Sequence, residues 1–144
     1  MSILVKNALG GNFIEEIKTG IHVSFDYFKV TFPLVVRKAE LQTTEIERTY
    51  KEIGKFFNIE PDEKWISSYK QRYQESRILG DYIELSIGGP EFANGFPSCL
   101  LELKGKGCRE FEVRCPDKTW DDLIKFFAIE IDGQIKRIDI AIDD

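Results

Sequence analysis

Histidine is almost missing from this chain: His22 is the single one among 144 residues. That excludes a histidine-rich metal site, and any catalytic triad built on an imidazole would have to use His22, which has no partner suggested nearby. Cysteine is scarce too. Cys99, Cys108 and Cys115 are odd in number and lack C-x-x-C spacing, so a disulfide framework or zinc ribbon is not expected, and three reduced thiols are. Cys108 stands beside Arg109, a neighbour able to lower a thiol pKa, but with no second base in view it reads as a structural thiol. No apolar run approaches the ~20 residues that span a bilayer. The N-terminus lacks a basic start followed by an apolar stretch, so no secretory signal is read and a cytoplasmic protein without membrane association is expected. Positive charge is in deficit: 20 Lys and Arg against 25 Asp and Glu give a net charge of −5. A role with nucleic acid would therefore need a local basic patch. There is no G-x-x-x-x-G-K-[ST] phosphate loop, no internal repeat and no low-complexity segment.

What is present is ordinary core material for one domain, with 42% hydrophobic residues and 11 Phe, 5 Tyr and 2 Trp. Residues 1–20 are weakly patterned and are expected to be a lead-in to a single domain over 21–144. A strand is read over Ile21–Phe32, with Val23, Phe25, Tyr27 and Lys29 on one face and Ser24, Asp26, Phe28 and Val30 on the other. Thr43 or Thr44, with Glu47, starts a helix whose stripe is Ile46, Tyr50, Ile53 and Phe57 and which ends near Asn58. Pro61–Trp65 reads as a short helical turn. Tyr69–Ile78 and Tyr82–Ile87 form a hairpin, Cys99–Lys104 a further strand, Gly105-Lys106-Gly107 a turn and Glu110–Arg114 the returning strand. Asp117 caps a second helix, Lys118–Ile129, and Asp132-Gly133 turns into the last strand. Strands that run consecutively through tight turns predict an α+β domain, a mainly antiparallel sheet with helices packed on one face.

The last strand is the most suggestive. Ile138, Ile140 and Ile142 share one side, and Arg137, Asp139, Ala141 and Asp143 the other. Glu84, Glu102, and Glu110 with Glu112, stand likewise opposite apolar residues in their segments, so acids are expected to gather on the open face of the sheet. Clustered carboxylates attract a divalent cation with oxygen ligands. Asp139 and Asp143, four residues apart, stand roughly 13 Å from each other on a straight strand, so one site would need one of them plus Glu side chains of neighbouring strands. The other reading is that these acids only solvate an open face. Two basic stretches stand out: Lys104, Lys106, Arg109 and Arg114 around the expected hairpin tip, and Lys64, Lys70, Arg72 and Arg77 interleaved with Trp65, Tyr69 and Tyr73. Both suit a phosphate backbone or a single strand, and both also suit a soluble hairpin surface.

Three segments taken together carry a family resemblance: HVSFDYFKVTF at residues 22–32, LELKGKGCREFE at 101–112 and KRIDIAIDD at 136–144. In this order, with a Trp-bearing helix before the last, they resemble the N-terminal part of the replication initiation factor family, the rolling-circle initiators and relaxases of plasmids, phages and integrative elements. The resemblance implies DNA chemistry on the open face of an antiparallel sheet. In such proteins a tyrosine attacks a DNA phosphate, leaving a 5′-phosphotyrosine link, while a divalent ion (Mg²⁺ or Mn²⁺) polarises the phosphate. The family's tyrosine segment follows the R-x-D-x-A-x-D-D strand, so none of Tyr27, Tyr50, Tyr69, Tyr73 and Tyr82 takes that role, and the 144 residues by themselves are expected not to nick DNA. By motif match Glu102, Glu112, Asp139 and Asp143 are the metal-site candidates. Lys104, Lys106, Arg109, Arg114 and Arg137 are the candidates for contact with single-stranded or hairpin origin DNA. A homodimer is left open. The alternatives are a stand-alone, non-enzymatic α+β module of a mobile element that binds DNA or protein, and a small-molecule enzyme with paired carboxylates.

Overall fold

The computed structural model describes residues 2–5, 23–34, 43–60, 66–91 and 97–142. Strands β1 (Ser2–Val5) and β2 (Val23–Pro33) are followed by helix α1 (Thr43–Phe56), then by strands β3 (Ile66–Ser68), β4 (Glu75–Leu79), β5 (Ile83–Glu91) and β6 (Pro97–Leu103). Helix α2 (Gly105–Arg114) and helix α3 (Trp120–Lys125), which runs on into a π-helical turn over Phe126–Glu130, precede strand β7 (Gln134–Ile142). The strands form one seven-stranded sheet in the order β1-β7-β2-β6-β5-β4-β3, and every neighbouring pair is antiparallel. This is the expected α+β architecture. The expected lead-in does not hold for residues 2–5, which pair with β7 from Ser2 opposite Ala141 to Val5 opposite Ile138. The expected helical turn at Pro61–Trp65 lies outside the described residues.

One face of the sheet is dry. Phe25, Phe28, Val30, Leu79, Ile83, Leu85, Ile87, Leu101, Leu103, Ile138 and Ile140 are buried there against Ile46, Tyr50, Ile53 and Phe57 of α1 and the turn after it, Phe111 of α2, and Trp120, Leu123, Ile124 and Phe127 from α3 and its π turn. Aromatic rings tie the layers together. Phe25 stacks on Trp120 at 4.4 Å, and Phe127 meets Phe28, Phe32 and Phe57 within 6.2 Å. Helix α1 buries the expected stripe and stops where Asn58 takes a left-handed φ of 59°.

The strand expected at Glu110–Arg114 is a helix. Five alternating residues fit a strand, but Gly107, Cys108, Phe111 and Cys115 repeat at helical spacing, and all four are buried. Gly107 lets the helix sit directly on the β5 entry, because a Cβ there would lie 2.9 Å from the Tyr82 carbonyl oxygen. Two other boundaries differ. The hairpin arm expected over Tyr69–Ile78 is divided: residues 69–74 make a turn with Arg72 at φ 75°, and only Glu75–Leu79 is extended. The second helix is capped by Thr119, not Asp117, through a reciprocal box in which the Thr119 hydroxyl accepts from the Asp122 amide and the Asp122 carboxylate accepts from the Thr119 amide. Among the described residues no helix is long and apolar enough to cross a membrane.

Helix and strand readings of residues 110–114 separate in a mutant pair. Phe111→Ala should cost about 3–5 kcal/mol and Val113→Ala within about 0.5 kcal/mol, since Val113 is 80% exposed. Equilibrium urea unfolding reads both. Comparable losses at the two positions would restore the strand.

Candidate nucleic-acid interface on the open sheet face

The open face is set by two irregularities in the β2–β7 ladder. Phe25 faces Ile140 and Tyr27 faces Asp139, so Asp26 is an extra residue in β2; Lys29 faces Arg137 and Val30 faces Ile135, so Lys136 is extra in β7. The first bulge sends both Phe25 and Phe28 into the core, and this corrects the simple alternation read from sequence. Tyr27, Lys29 and Thr31 turn outward instead. Arg109 of α2 fixes the bulge: its guanidinium donates to the Phe25 carbonyl and lies 3.9 Å from the Asp26 carboxylate.

Strand register then builds a charged row. Glu84, Glu102, Lys29 and Arg137 stand successively opposite one another across β5, β6, β2 and β7. Two glutamates directly opposite repel. The repulsion is relieved by cations from the protein. The Lys70 ammonium, delivered by the turn after β3, is 2.5 Å from Glu102, and Lys104 is 3.9 Å from Glu84. The Tyr27 hydroxyl donates to the other Glu102 oxygen. Arg137 grips Asp139 with two hydrogen bonds of 3.0 and 2.7 Å and lays its guanidinium 4.1 Å over the Tyr27 ring. Glu102 is only 3% exposed although it lies on the open face. Burial alone would push its carboxyl up, but the hydrogen bonds from Lys70 and Tyr27 and the nearby Lys70 and Lys29 charges outweigh it, so the net shift is downward. Burial and the same hydrogen bond raise the Tyr27 phenol well above its ordinary range. Tyr27 is thus held as a proton donor to Glu102.

The sequence-derived candidates divide. Glu102, Asp139 and Arg137 come together on this face, with Lys104 at its edge. Glu112 does not: it is in α2, 3.0 Å from Arg109 and accepting from the Trp120 indole N–H, in the layer on the opposite side of the sheet. Asp143 lies outside the described residues. Among the described residues no group of acids, Cys and His is placed to hold a metal ion. Glu102 and Asp139, each already charge-paired, do not make a divalent site by themselves. Arg109 and Arg114 are not at a hairpin tip. Arg114 pairs with Glu110 at 2.8 Å, and Glu110 accepts the Asp81 and Tyr82 amides of the β4–β5 turn at 2.9 and 2.7 Å. Lys104 and Lys106 are exposed at the start of α2, with the Lys106 ammonium 5.3 Å over the Tyr82 ring. Of the second basic stretch, Arg77 is tied to Glu47 on the helical side, Lys70 and Tyr73 reach the open face, and Lys64 and Trp65 are outside the described residues. Cys108 is fully buried, and burial pushes its thiol up to about 12, in accord with a structural role. Sequence reasoning missed Tyr27 and Lys29 as open-face residues. The signal was available: two core phenylalanines three apart, Phe25 and Phe28, cannot share a face of an unbulged strand.

The Tyr27–Glu102 bond makes a pH prediction. The folded Glu102 pKa lies below the unfolded one, so the stabilisation is complete above the ordinary carboxylate range near pH ~4.3 and is lost as pH falls through the folded value. Tyr27→Phe should cost about 1.5–3 kcal/mol at pH 7, and less once Glu102 is protonated. Urea unfolding from pH 7 to 3 reads this, and a cost independent of pH would contradict it.

Three comparisons with known proteins bear on the chain as a whole. The family described as the Rolling Circle replication initiation protein N-terminal domain matches residues 22–129. A curated relative, “Putative DNA relaxase NicK” of Bacillus subtilis (strain 168), is 29% identical over 132 residues, covering 90% of this chain and 33% of its own length. A solved rolling circle replication initiator protein from Geobacillus stearothermophilus superposes with a TM-score of 0.56 at 18% identity, covering 87% of this chain and 45% of that one. At that identity the likeness concerns the fold. The chain spans about a third of the curated relative's length and under half of the solved chain's.

Proposed function

This chain belongs to the family of Rolling Circle replication initiation protein N-terminal domains, and we propose that it supplies the DNA-facing sheet of a rolling-circle initiator or relaxase that works in the cytoplasm. The family match over residues 22–129 carries this reading. The physical support is the open face itself. Lys29, Lys70, Lys104 and Arg137 gather beside Tyr27 on one side of the sheet, so a chain of net charge −5 still offers a local basic and aromatic surface to a phosphate backbone. Single-stranded or hairpin DNA is the ligand this surface suits, since bases freed from a duplex can meet aromatic rings while the cations track phosphates.

Strand transfer by the whole protein would use a tyrosine following β7, as the resemblance implies. Tyr27 is committed to Glu102 as a donor, and Tyr50, on the inner face of α1, is fully buried. The role of this chain's residues is then to bind and orient the strand. A divalent cation would polarise the scissile phosphate when bound, but Asp139 and Glu102, engaged by Arg137, Lys70 and Tyr27, do not fit it by themselves.

Fluorescence anisotropy with labelled single-stranded and hairpin DNA tests the reading. Lys104→Ala and Lys106→Ala should each weaken binding and lower the slope of log K against log salt by about 1, while Lys125→Ala on the helical side should leave both unchanged. Binding that ignores the first two substitutions would contradict the assignment. So, for the tyrosine, would a covalent adduct formed by these 144 residues with DNA and Mn²⁺ that survives denaturant.

A further inference from the structure

The open face contains a cleft at the opposite end of the strands from Lys104. It lies where β2, β5, β6 and β7 meet, has a volume of about 320 Å³, and is lined by Thr31, Tyr73, Glu91, Ser98, Gln134 and Lys136. Register places Thr31 opposite Gln134, and Ser98 opposite Pro33 two residues along β2. The cleft has one aromatic wall, made by Tyr73. That ring sits directly against the β5 backbone, because a Cβ on Gly89 would fall 2.2 Å from the ring edge, and only glycine allows the approach. Tyr73 is anchored there: its hydroxyl hydrogen-bonds Ser98, and the Gln74 amide donates to the Gly88 carbonyl at 3.2 Å. Across the cleft, the Lys136 ammonium donates to the Gln134 side-chain oxygen at 3.0 Å. That bond fixes which end of the amide is oxygen and leaves the NH₂ free to donate. Lys136 is the extra residue of the second bulge and is exposed at the mouth.

We propose that this cleft accepts one unstacked purine or amino-bearing base of a bound DNA strand. The volume is at the small end of the range of about 300–1,000 Å³ for small-molecule pockets, which suits a single base and not a dinucleotide cofactor. An aromatic wall offers a stacking surface, an amide oriented by Lys136 matches the donor–acceptor pair of adenine, and the Glu91 carboxylate accepts from an exocyclic amine. Thymine has no such amine. Lys136 at the mouth is placed for the phosphate attached to the base. This inference deepens the DNA-binding reading above and rests on it for the strand, but not for the base.

The test measures binding of labelled dA12 and dT12 and, separately, of free dAMP and dTMP by calorimetry. Wild type should prefer dA12 to dT12 by about tenfold. Gln134→Ala, an exposed substitution that should leave the thermal melt unchanged, should reduce that preference to about twofold or less while keeping the salt slope. Lys136→Ala should lower the slope and, by releasing the Gln134 amide it orients, also weaken the preference, whereas Gln134→Ala weakens the preference alone. If both strands bind and Gln134→Ala leaves their ratio untouched, the cleft assignment is overturned while the DNA-binding reading stands. If neither strand binds but dAMP binds over dTMP in a Gln134-dependent manner, the base site stands and the DNA-binding reading falls. If neither strand nor nucleotide binds, both fall.

Discussion

The arrangement depends on the bulge at Asp26. One extra residue in β2 rotates the chain so that Phe25 and Phe28, three apart, both enter the core, where Phe25 stacks on Trp120 and Phe28 meets Phe127. The same rotation turns Tyr27 and Lys29 to the other side. Without it, Tyr27 would compete with Phe25 for the core, and the open face would lose both the ring under Arg137 and the donor to Glu102. Arg109 from α2 holds the Phe25 carbonyl at the bulge, so the helical layer on one side fixes the conformation that the other side uses.

That coupling explains how an acidic chain can gather basic side chains on one face. Glu84 and Glu102 stand opposite each other, an arrangement that is unfavourable in isolation. Lys70, Lys104, Lys29 and Tyr27 surround the pair, and Arg137 does the same for Asp139. The acids hold long basic side chains in place on the face, which would lessen the ordering cost of binding a phosphate there. They also make the described face a poor divalent site as it stands, because the carboxylate oxygens are already engaged.

Much of this was legible in the residues. The antiparallel sheet, the α1 stripe, the burial of Ile138 and Ile140, and the placement of Glu102, Asp139 and Arg137 on one face followed from alternation and helical spacing. What escaped was local. Glu110–Arg114 alternates like a strand for five residues, too short a run to separate the two periods, and tertiary burial of Gly107, Cys108 and Phe111 decided for helix. That moved Glu112, Arg109 and Arg114 off the open face. A strict two-residue period does not admit a bulge, so it groups Tyr27 with Phe25 and apart from Phe28. Lys70 was visible as a basic residue, but its reach to Glu102 depends on a turn at Arg72 that forces a left-handed φ on a residue with no propensity signal for it.

The central claim is that DNA meets the open face and not the helical one. Photocross-linking a single strand carrying 5-bromodeoxyuridine, followed by mass-spectrometric mapping of the attached peptides, tests it most directly. The account predicts cross-links in β2 and in the 69–74 turn, centred on Tyr27 and Tyr73. Cross-links concentrated instead at Phe126 and Ile129, in the groove of the helical layer, would contradict it.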